Sequence, residues 1–395
     1  MIHFRNWFLF CLTFCAVVLF AQQPQTVEVF KNTLVNFSNE GEIPNTIRLQ
    51  GGRLLIKKVK APVFKKGTDV SIKVKLRSNG DSWDKAGSVF VLSPKDQNNI
   101  LKIAKGKAKF PSGSAPAAGF NGVLPAEGYH PPVELMRFMT PFGVGHFSDT
   151  IKFPKTKLGR PVSVPTWADF VEWEQDISQL QSLLMGEFYV GVWIDTWTKE
   201  GYLVDISLEY SGRPRPIKKV LPLVSTVYYI DGQKIPDFFS RQTLQMSFDF
   251  LKVKKSTQPE LYYITSGHGG HEKGDEFVKK QNTVSIDHKP VLDFIPWRDD
   301  CASFRRFSPT SGVWVQKDTA RFYNDAGGVE TRVIEERLAS SDLSRSNWCP
   351  GSQVLPEIAP VQLSQGKHVL VIKIPATANK ENQQNHWMVS AYLVY

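Results

Sequence analysis

Apolar and polar residues alternate with a period of two along much of the chain, the pattern of strands that bury one face. In Val70-Ser71-Ile72-Lys73-Val74-Lys75-Leu76-Arg77 the aliphatic side chains take one face and the Ser, Lys and Arg side chains the other. Similar short runs occupy 88–92, 188–193, 202–210, 243–250, 261–265, 283–286, 368–374 and 388–395. Gly, Pro, Asn and Asp punctuate them, which predicts an all-β protein of antiparallel sandwiches. A helix is expected over 166–184. Thr166 would cap it, and Phe170, Trp173, Ile177, Leu180 and Leu184 would share one face. A basic, proline-containing passage from 213 to 223 separates two strand-rich halves. It predicts an N-terminal sandwich over 22–218 and a C-terminal one over 219–395. The stretch 102–130, rich in Gly, Pro, Ala and Lys, reads as a long insertion loop in the first half.

The first residues follow a different pattern. Arg5 precedes an apolar run over 7–20, too short to span a bilayer but suited to the core of a signal peptide. Leu19 and Ala21 stand at the −3 and −1 positions of a cleavage after Ala21, so 1–21 is expected to be removed. No other stretch reads as a membrane span, which predicts an exported protein, periplasmic or secreted. Cys11 and Cys15 lie in that leader, in no convincing lipobox. Cys301 and Cys349 are left, and in an oxidising compartment they are expected to form one disulfide across a loop of about fifty residues.

Composition adds little beyond exclusions. With 395 residues, 42% hydrophobic and 22% charged, the chain can bury the cores of two domains and is not disordered. Its 48 basic against 38 acidic residues give +10, but the cations are scattered, so no nucleic-acid groove is expected. A phosphate-binding P-loop, a dinucleotide fingerprint, GxSxG and HExxH are all missing.

Three places carry candidate chemistry. The glycine-rich stretch Ser266-Gly267-His268-Gly269-Gly270-His271-Glu272-Lys273-Gly274-Asp275-Glu276 follows an apolar strand and is expected to be an exposed loop. It suits either a flexible carrier of site residues or a plain polar hairpin. His268, His271 and Glu272, with His130 or His146, offer a weaker metal reading, because nothing in the spacing brings them together. Trp83-Asp84-Lys85 and Trp193-Ile194-Asp195-Thr196-Trp197 put an acid beside an indole at a strand end. Such pairs suit a sugar cleft, where the ring covers an apolar sugar face and the carboxylate accepts hydroxyl or amide hydrogen bonds. Taken singly, each is better read as core tryptophans with acids in turns.

In series they carry more. Trp83-Asp84-Lys85, Arg137-Phe138-Met139-Thr140-Pro141, Asp195-Thr196-Trp197, Ser266-Gly267-His268-Gly269 leading to Glu276, and Arg345-Ser346-Asn347-Trp348-Cys349-Pro350-Gly351 occur in that order. The series resembles the peptide-N-glycosidase F family, bacterial amidases that remove whole N-glycans from asparagine. The resemblance implies two antiparallel jelly rolls packed side by side, with the site in a cleft at their interface. It implies Asp84 as principal catalytic residue and Glu276 and Asp195 as supporting carboxylates. Lys85, Trp197, His268, Arg345 and Trp348 would contact the chitobiose core and the asparagine. The implied substrates are N-glycosylated peptides or glycoproteins, with no metal or other cofactor, and a monomer is expected.

The sequence also departs from the family pattern. Asp195 stands for a Glu and reaches less far. Lys85 stands for an Arg and loses a bidentate fork. His268 stands for a Trp, and two family disulfides have no cysteines here. Two other readings therefore stay open: a noncatalytic N-glycan-binding protein, and a copper-dependent monooxygenase of similar architecture that would draw ligands from His130, His146, His268 or His271.

Overall fold

A computed structural model describes residues 23–64, 66–92, 96–111, 121–233, 239–251 and 258–395. The expected signal peptide, 1–21, lies outside them. The first half contributes β1 (Gln25–Val35), β2 (Thr46–Leu49), β3 (Leu54–Lys60), β4 (Gly67–Ser78), β5 (Ala86–Leu92), β6 (Val133–Met139), β7 (Val171–Asp176), β8 (Glu187–Ile194) and β9 (Tyr202–Arg215). The second contributes β10 (Val220–Ser225), β11 (Leu244–Phe250), β12 (Glu260–His268), β13 (Asn282–Ile286), β14 (Lys289–Phe294), β15 (Val313–Tyr323), β16 (Val329–Ala339), β17 (Gln353–Val354), β18 (Glu357–Pro360), β19 (Gly366–Lys373) and β20 (His386–Val394). Two short helices, α1 (Ile100–Ala104) and α2 (Pro154–Leu158), lie in connections. No helix among the described residues is long and apolar enough to cross a membrane.

The first jelly roll stacks a four-stranded sheet, β1-β9-β4-β7, on a six-stranded one, β17-β6-β5-β8-β3-β2. The alternation in β4 sends Val70, Ile72, Val74 and Leu76 into a core shared with Val89 and Val91 of β5 and Val190 and Val192 of β8. Each such side chain contributes about 1.5–3 kcal/mol by leaving water. A charge at Val74 would break this row, because an unpaired buried carboxylate costs more than the row's member supplies. The second jelly roll stacks β10-β20-β12-β18 on β11-β19-β13-β14. Phe248, Leu261, Tyr263, Leu370, Ile372 and Val389 belong to its core.

The two units meet on the outer face of the six-stranded sheet. Leu54, Ile56, Phe90 and Trp193 pack there against Val227, Tyr229, Ile230 and Met388, with the Phe90 and Tyr229 ring centroids 4.3 Å apart. Inside this seam lies a fully buried ion pair, Glu134 with Arg137. Arg137 also donates to the Met388 carbonyl (2.5 Å) and Ser266 Oγ (3.3 Å), while Ser88 and Ser390 hydroxyls donate to Glu134. The network spans both units, so losing either charge would leave the other uncompensated in a dry site. The halves also exchange chain. β17 pairs with β6 through Gln353↔Phe138 and Val354↔Arg137, and Val123 and Leu124 sit in the second core.

Three expectations need correction. The stretch 166–184 is not a helix. Val171 and Trp173 point inward and Glu172 and Glu174 outward as β7, which completes the edge of β4 from Ser71↔Asp176 to Leu76↔Val171. The ladder bonds that β4 would otherwise lack outweigh a helical stripe whose members are three and four apart. Ile177, Leu180 and Leu184 remain buried by way of a 3-10 turn, Ser178–Leu183. Residues 266–268 are the buried end of β12 and not part of an exposed loop. The supposed insertion loop 102–130 is partly built in: α1 reaches Ala104, and the Val123 carbonyl accepts from Ser225 N (2.9 Å).

Candidate active site

Two strand ends of the first unit supply one wall of the candidate site. β5 and β8 are antiparallel neighbours, with Gly87 opposite Ile194, so the residues before β5 and after β8 emerge at the same end. Asp84 and Asp195 occupy those positions. The turn bearing Asp84 is held by Asp81, which is buried. One Asp81 oxygen accepts from Trp83 N (3.0 Å), and the other accepts from the Thr196 (2.7 Å) and Thr198 (3.3 Å) hydroxyls. The Tyr202 hydroxyl donates to the Trp83 carbonyl, and Lys85 N donates to Thr140 Oγ1 (2.8 Å). Every peptide unit around Asp84 is therefore pinned by a neighbouring element.

The other wall comes from the second unit. The end of β12 lies against the segment 345–349 through Gly267 N to Ser346 O (3.2 Å), and Ser346 N donates to Glu276 O (2.9 Å). Gly267 allows this approach, since a Cβ there would meet the Trp387 ring at 2.7 Å and Asp275 O at 2.9 Å. Buried Asp275 anchors the loop by accepting from Trp387 Nε1 (2.9 Å) and Thr377 N (3.0 Å). The Cys301–Cys349 disulfide is formed and fastens the segment carrying Arg345 and Trp348 to a 3-10 turn, Cys301–Phe307.

The walls meet at Arg345. Its Nε donates to Glu276 Oε1 at 2.8 Å and its Nη2 stands 3.7 Å from Asp84 Oδ2. The guanidinium also lies over the Phe277 and Trp348 rings, 5.1 and 4.9 Å from their centroids. One cation thus links a carboxylate from each unit. Burial raises the pKa of Glu276, the Asp84 charge adds to the effect, and Arg345 opposes it, leaving the group at about 7. Burial likewise raises Asp84 against the opposing charges of Arg345 and Lys85. Two crowded acids beside one arginine favour states in which they share a proton near neutrality.

Asp195 forms a second group. Arg53 Nη1 is 3.3 Å from its Oδ1, and the same guanidinium lies 4.0 Å from the Trp197 ring centroid and 5.2 Å from that of Phe37. Burial raises the Asp195 pKa, and the charges of His386, Arg53 and Lys85 pull it back. Trp83 and Trp197 are 61% and 59% exposed, enough to leave ring surface for a ligand. His268 is buried, accepts or donates through Nε2 with Ser266 Oγ (2.9 Å), and stacks between Trp348 (5.5 Å) and His386 (4.9 Å). Burial first, then the His386 and Arg137 charges, hold it well below the usual imidazole range, so it is neutral.

The structure therefore gathers Asp84, Glu276, Arg345, Trp348 and His268 into one cluster. Asp195 and Trp197 form its neighbour, and the Lys85 charge acts on both Asp84 and Asp195. Sequence reasoning missed Arg53, Phe37, Asp81 and His386. Asn79-Gly80-Asp81 was a visible turn signal, and Gly51-Gly52 just before Arg53 marks a tight approach to β3. Nothing local announced His386. The histidines of the copper reading are dispersed: His130 pairs with Asp96 (3.2 Å), His146 packs on Phe147 and Phe153, and His271 bonds the Glu272 carbonyl. Among the described residues no three His, Cys, Asp or Glu side chains are grouped to hold a metal ion.

Paired jelly rolls with a buried acid–arginine cluster at their seam, and exposed tryptophans near it, define a double β-sandwich protein. Family models described as Peptide-N-glycosidase F, N terminal, and Peptide-N-glycosidase F, C terminal, match residues 26–210 and 234–394. The chain belongs to the peptide-N-glycosidase F family. It is 32% identical to PNGF-II, with a TM-score of 0.79 over 94% of this chain, and spans 65% of the length of that structure. It is 15% identical to recombinant N-glycanase F, with a TM-score of 0.59 over 94% of this chain and 95% of the other. A further structure, a glycosylasparaginase from Flavobacterium meningosepticum, is 14% identical, with a TM-score of 0.53 over 94% of this chain and 95% of the other. None of the curated proteins matches the chain.

Proposed function

We propose that the protein is an amidase that hydrolyses the bond between an N-glycan and its asparagine, releasing the glycan and leaving aspartate. The observation that carries this reading is the Asp84–Arg345–Glu276 bridge across the seam. Ionised Glu276, at about 7, takes a proton from water as the water oxygen adds to the side-chain carbonyl carbon. Arg345 stabilises the resulting oxyanion. Asp84, whose burial favours its protonated form, delivers a proton to the nitrogen, the carbon–nitrogen bond breaks, and glycosylamine departs. Asp195 and Trp197, joined by Arg53, hold the first sugars by hydrogen bonding and stacking. Lys85 completes the polar contacts, while buried Trp348, with His268 stacked on it, packs behind Arg345 and holds it in place.

The substrates on this reading are N-glycosylated peptides and glycoproteins, and the protein works as an exported hydrolase. The disulfide supports an oxidising compartment. A defined glycopeptide incubated in heavy-oxygen water and read by mass spectrometry tests the proposal. Amide hydrolysis gives an Asp peptide carrying solvent oxygen, about one mass unit above its Asn counterpart in ordinary water. A product still bearing one N-acetylglucosamine on Asn would make Asp84 and Glu276 glycosidase residues instead. Binding without turnover would leave a glycan-binding protein.

A further inference from the structure

An apolar groove of about 720 Å³ opens beside the turn that carries Asp84. Phe147, Phe153, Leu158, Val313 and Val315 line it, with Lys155 at its side. One wall is α2 and the other is the base of β15. Two contacts connect this groove to the candidate site. Thr310, which also lines it, donates from Oγ1 to the Ser82 carbonyl at 2.6 Å, two residues before Asp84. Exposed Trp83 leans toward Phe142, 6.4 Å between ring centroids, and the Phe142 carbonyl accepts from Thr310 N (3.2 Å). The groove thus begins on the Trp83 side of Asp84, whereas Asp195, Arg53 and Trp197 form a separate group at the end of β8.

Its lining is also of a different kind from the sugar-facing wall. Among the described side chains its lining holds no carboxylate and no tryptophan; it is mainly aliphatic and phenyl, with Lys152 and Lys155 and the hydroxyls of Thr156, Thr310 and Ser311. Leu158 is 74% exposed and Val315 54%. β15 pairs only with β16 in a two-stranded sheet, so its other edge has no strand partner among the described residues. Such an edge presents backbone donors and acceptors at the spacing of an extended chain.

We infer that this groove binds the polypeptide flanking the glycosylated asparagine, in extended form and with a preference for apolar or acidic residues. The inference rests on the amidase reading and adds to it a second substrate site, for the peptide. Its continuity with the Ser82–Asp84 turn singles out this occupant: a chain lying along β15 would pass Thr310 and reach Asp84 with its asparagine side chain.

A glycopeptide series with one glycan tests this, running from a capped glycosylasparagine to peptides with apolar residues on both sides. The wild-type protein should show KM falling as the peptide lengthens. Leu158→Asp and Val315→Asp, both at exposed positions, should raise KM for the long peptide about tenfold, the loss of one good aliphatic contact. Both variants should leave kcat, and all kinetics on the capped asparagine, unchanged. Rescue by Leu158→Met would separate apolar contact from a change of shape. Cleavage of the capped asparagine with no dependence on length overturns the groove assignment and spares the amidase reading. So does an equal loss on both substrates, or a change in oligomeric state by light scattering with no change in KM, which would mark a surface for self-association. No cleavage of any member overturns both.

Discussion

Replacing Asp84 by Asn keeps the shape of the side chain but removes the acid that shares a proton with Glu276, and with it the charge Asp84 places beside Arg345 once that proton is lost. Glu276 then loses the second cause of its raised pKa and keeps the first, burial. The gap between 4.5 and about 7 amounts to ~3 kcal/mol in favour of the neutral carboxyl. With a guanidinium between them, the carboxylates are on the order of 6 Å apart, where unit charges repel by ~2–3 kcal/mol at an effective dielectric near 20. Screening by Arg345 and by solvent reduces this by about half. The Glu276 midpoint should therefore fall by about one pH unit in Asp84→Asn, read by the carboxyl carbon resonance of labelled glutamate. Stability follows with a definite sign. Wild-type Glu276 keeps its proton to about 7 when folded but releases it near 4.5 when unfolded. The stabilisation from its neutral form is full below 4.5 and is lost as pH rises through about 7. Asp84→Asn should accordingly melt higher than wild type at pH 8, while the two converge in acid. Turnover should fall below about a tenth of wild type, at least ~1.4 kcal/mol of transition-state stabilisation. An unmoved Glu276 midpoint would refute the shared-charge argument, and turnover above that tenth would refute the role given to Asp84.

Wild-type activity should fall as pH drops through about 7, because protonated Glu276 cannot take a proton from water; a rate flat from pH 8 to 5 would exclude it as the base. Arg53→Met should free Trp197 and Asp195 together, raising KM for the glycan about tenfold with little change in melting temperature, and an unchanged KM would separate that pair from recognition. Reduction of Cys301–Cys349 should lower activity before or together with thermal stability, since it releases the segment holding Arg345 and Trp348; full activity in reduced, folded protein would contradict this. Dialysis against a strong chelator should leave activity intact, whereas a loss restored only by copper or zinc would return the histidines to consideration.

Strands with one wet face were legible from alternation, and β5, β12 and β20 were legible as short apolar runs although both their faces are buried. Residues 70–76 alternate because one side of β4 meets the core and the other meets water. β6 gave no such pattern. It is buried on both faces, and its charged members, Glu134 and Arg137, face the seam instead of solvent. The β15–β16 ribbon failed for the opposite reason, since exposed Val315, Val329, Val333 and Tyr323 leave no buried face to set a period. At the site, Asp84, Glu276 and Arg345 were found through an ordered series of motifs, which encodes chemistry that local pattern does not. Arg53 and His386 act on Asp195 from 142 and 191 positions away (195 − 53; 386 − 195), a relation created only by strand pairing.

The short pairing of β17 with β6 has a bearing on how the protein comes into being. The first jelly roll cannot close its six-stranded sheet until residues 353–354 have been made, and the second lacks part of its core without Val123 and Leu124. An emerging chain that stops near residue 218 holds Asp84, Asp195 and Arg53 but lacks β17 at the edge of its six-stranded sheet and has neither Glu276 nor Arg345. The two carboxylates that face each other across Arg345 therefore come into register only after residues 276 and 345 have been made. Separately expressed halves should accordingly remain open, sticky and inert until mixed, a dependence that makes fragment complementation a direct measure of the seam's strength.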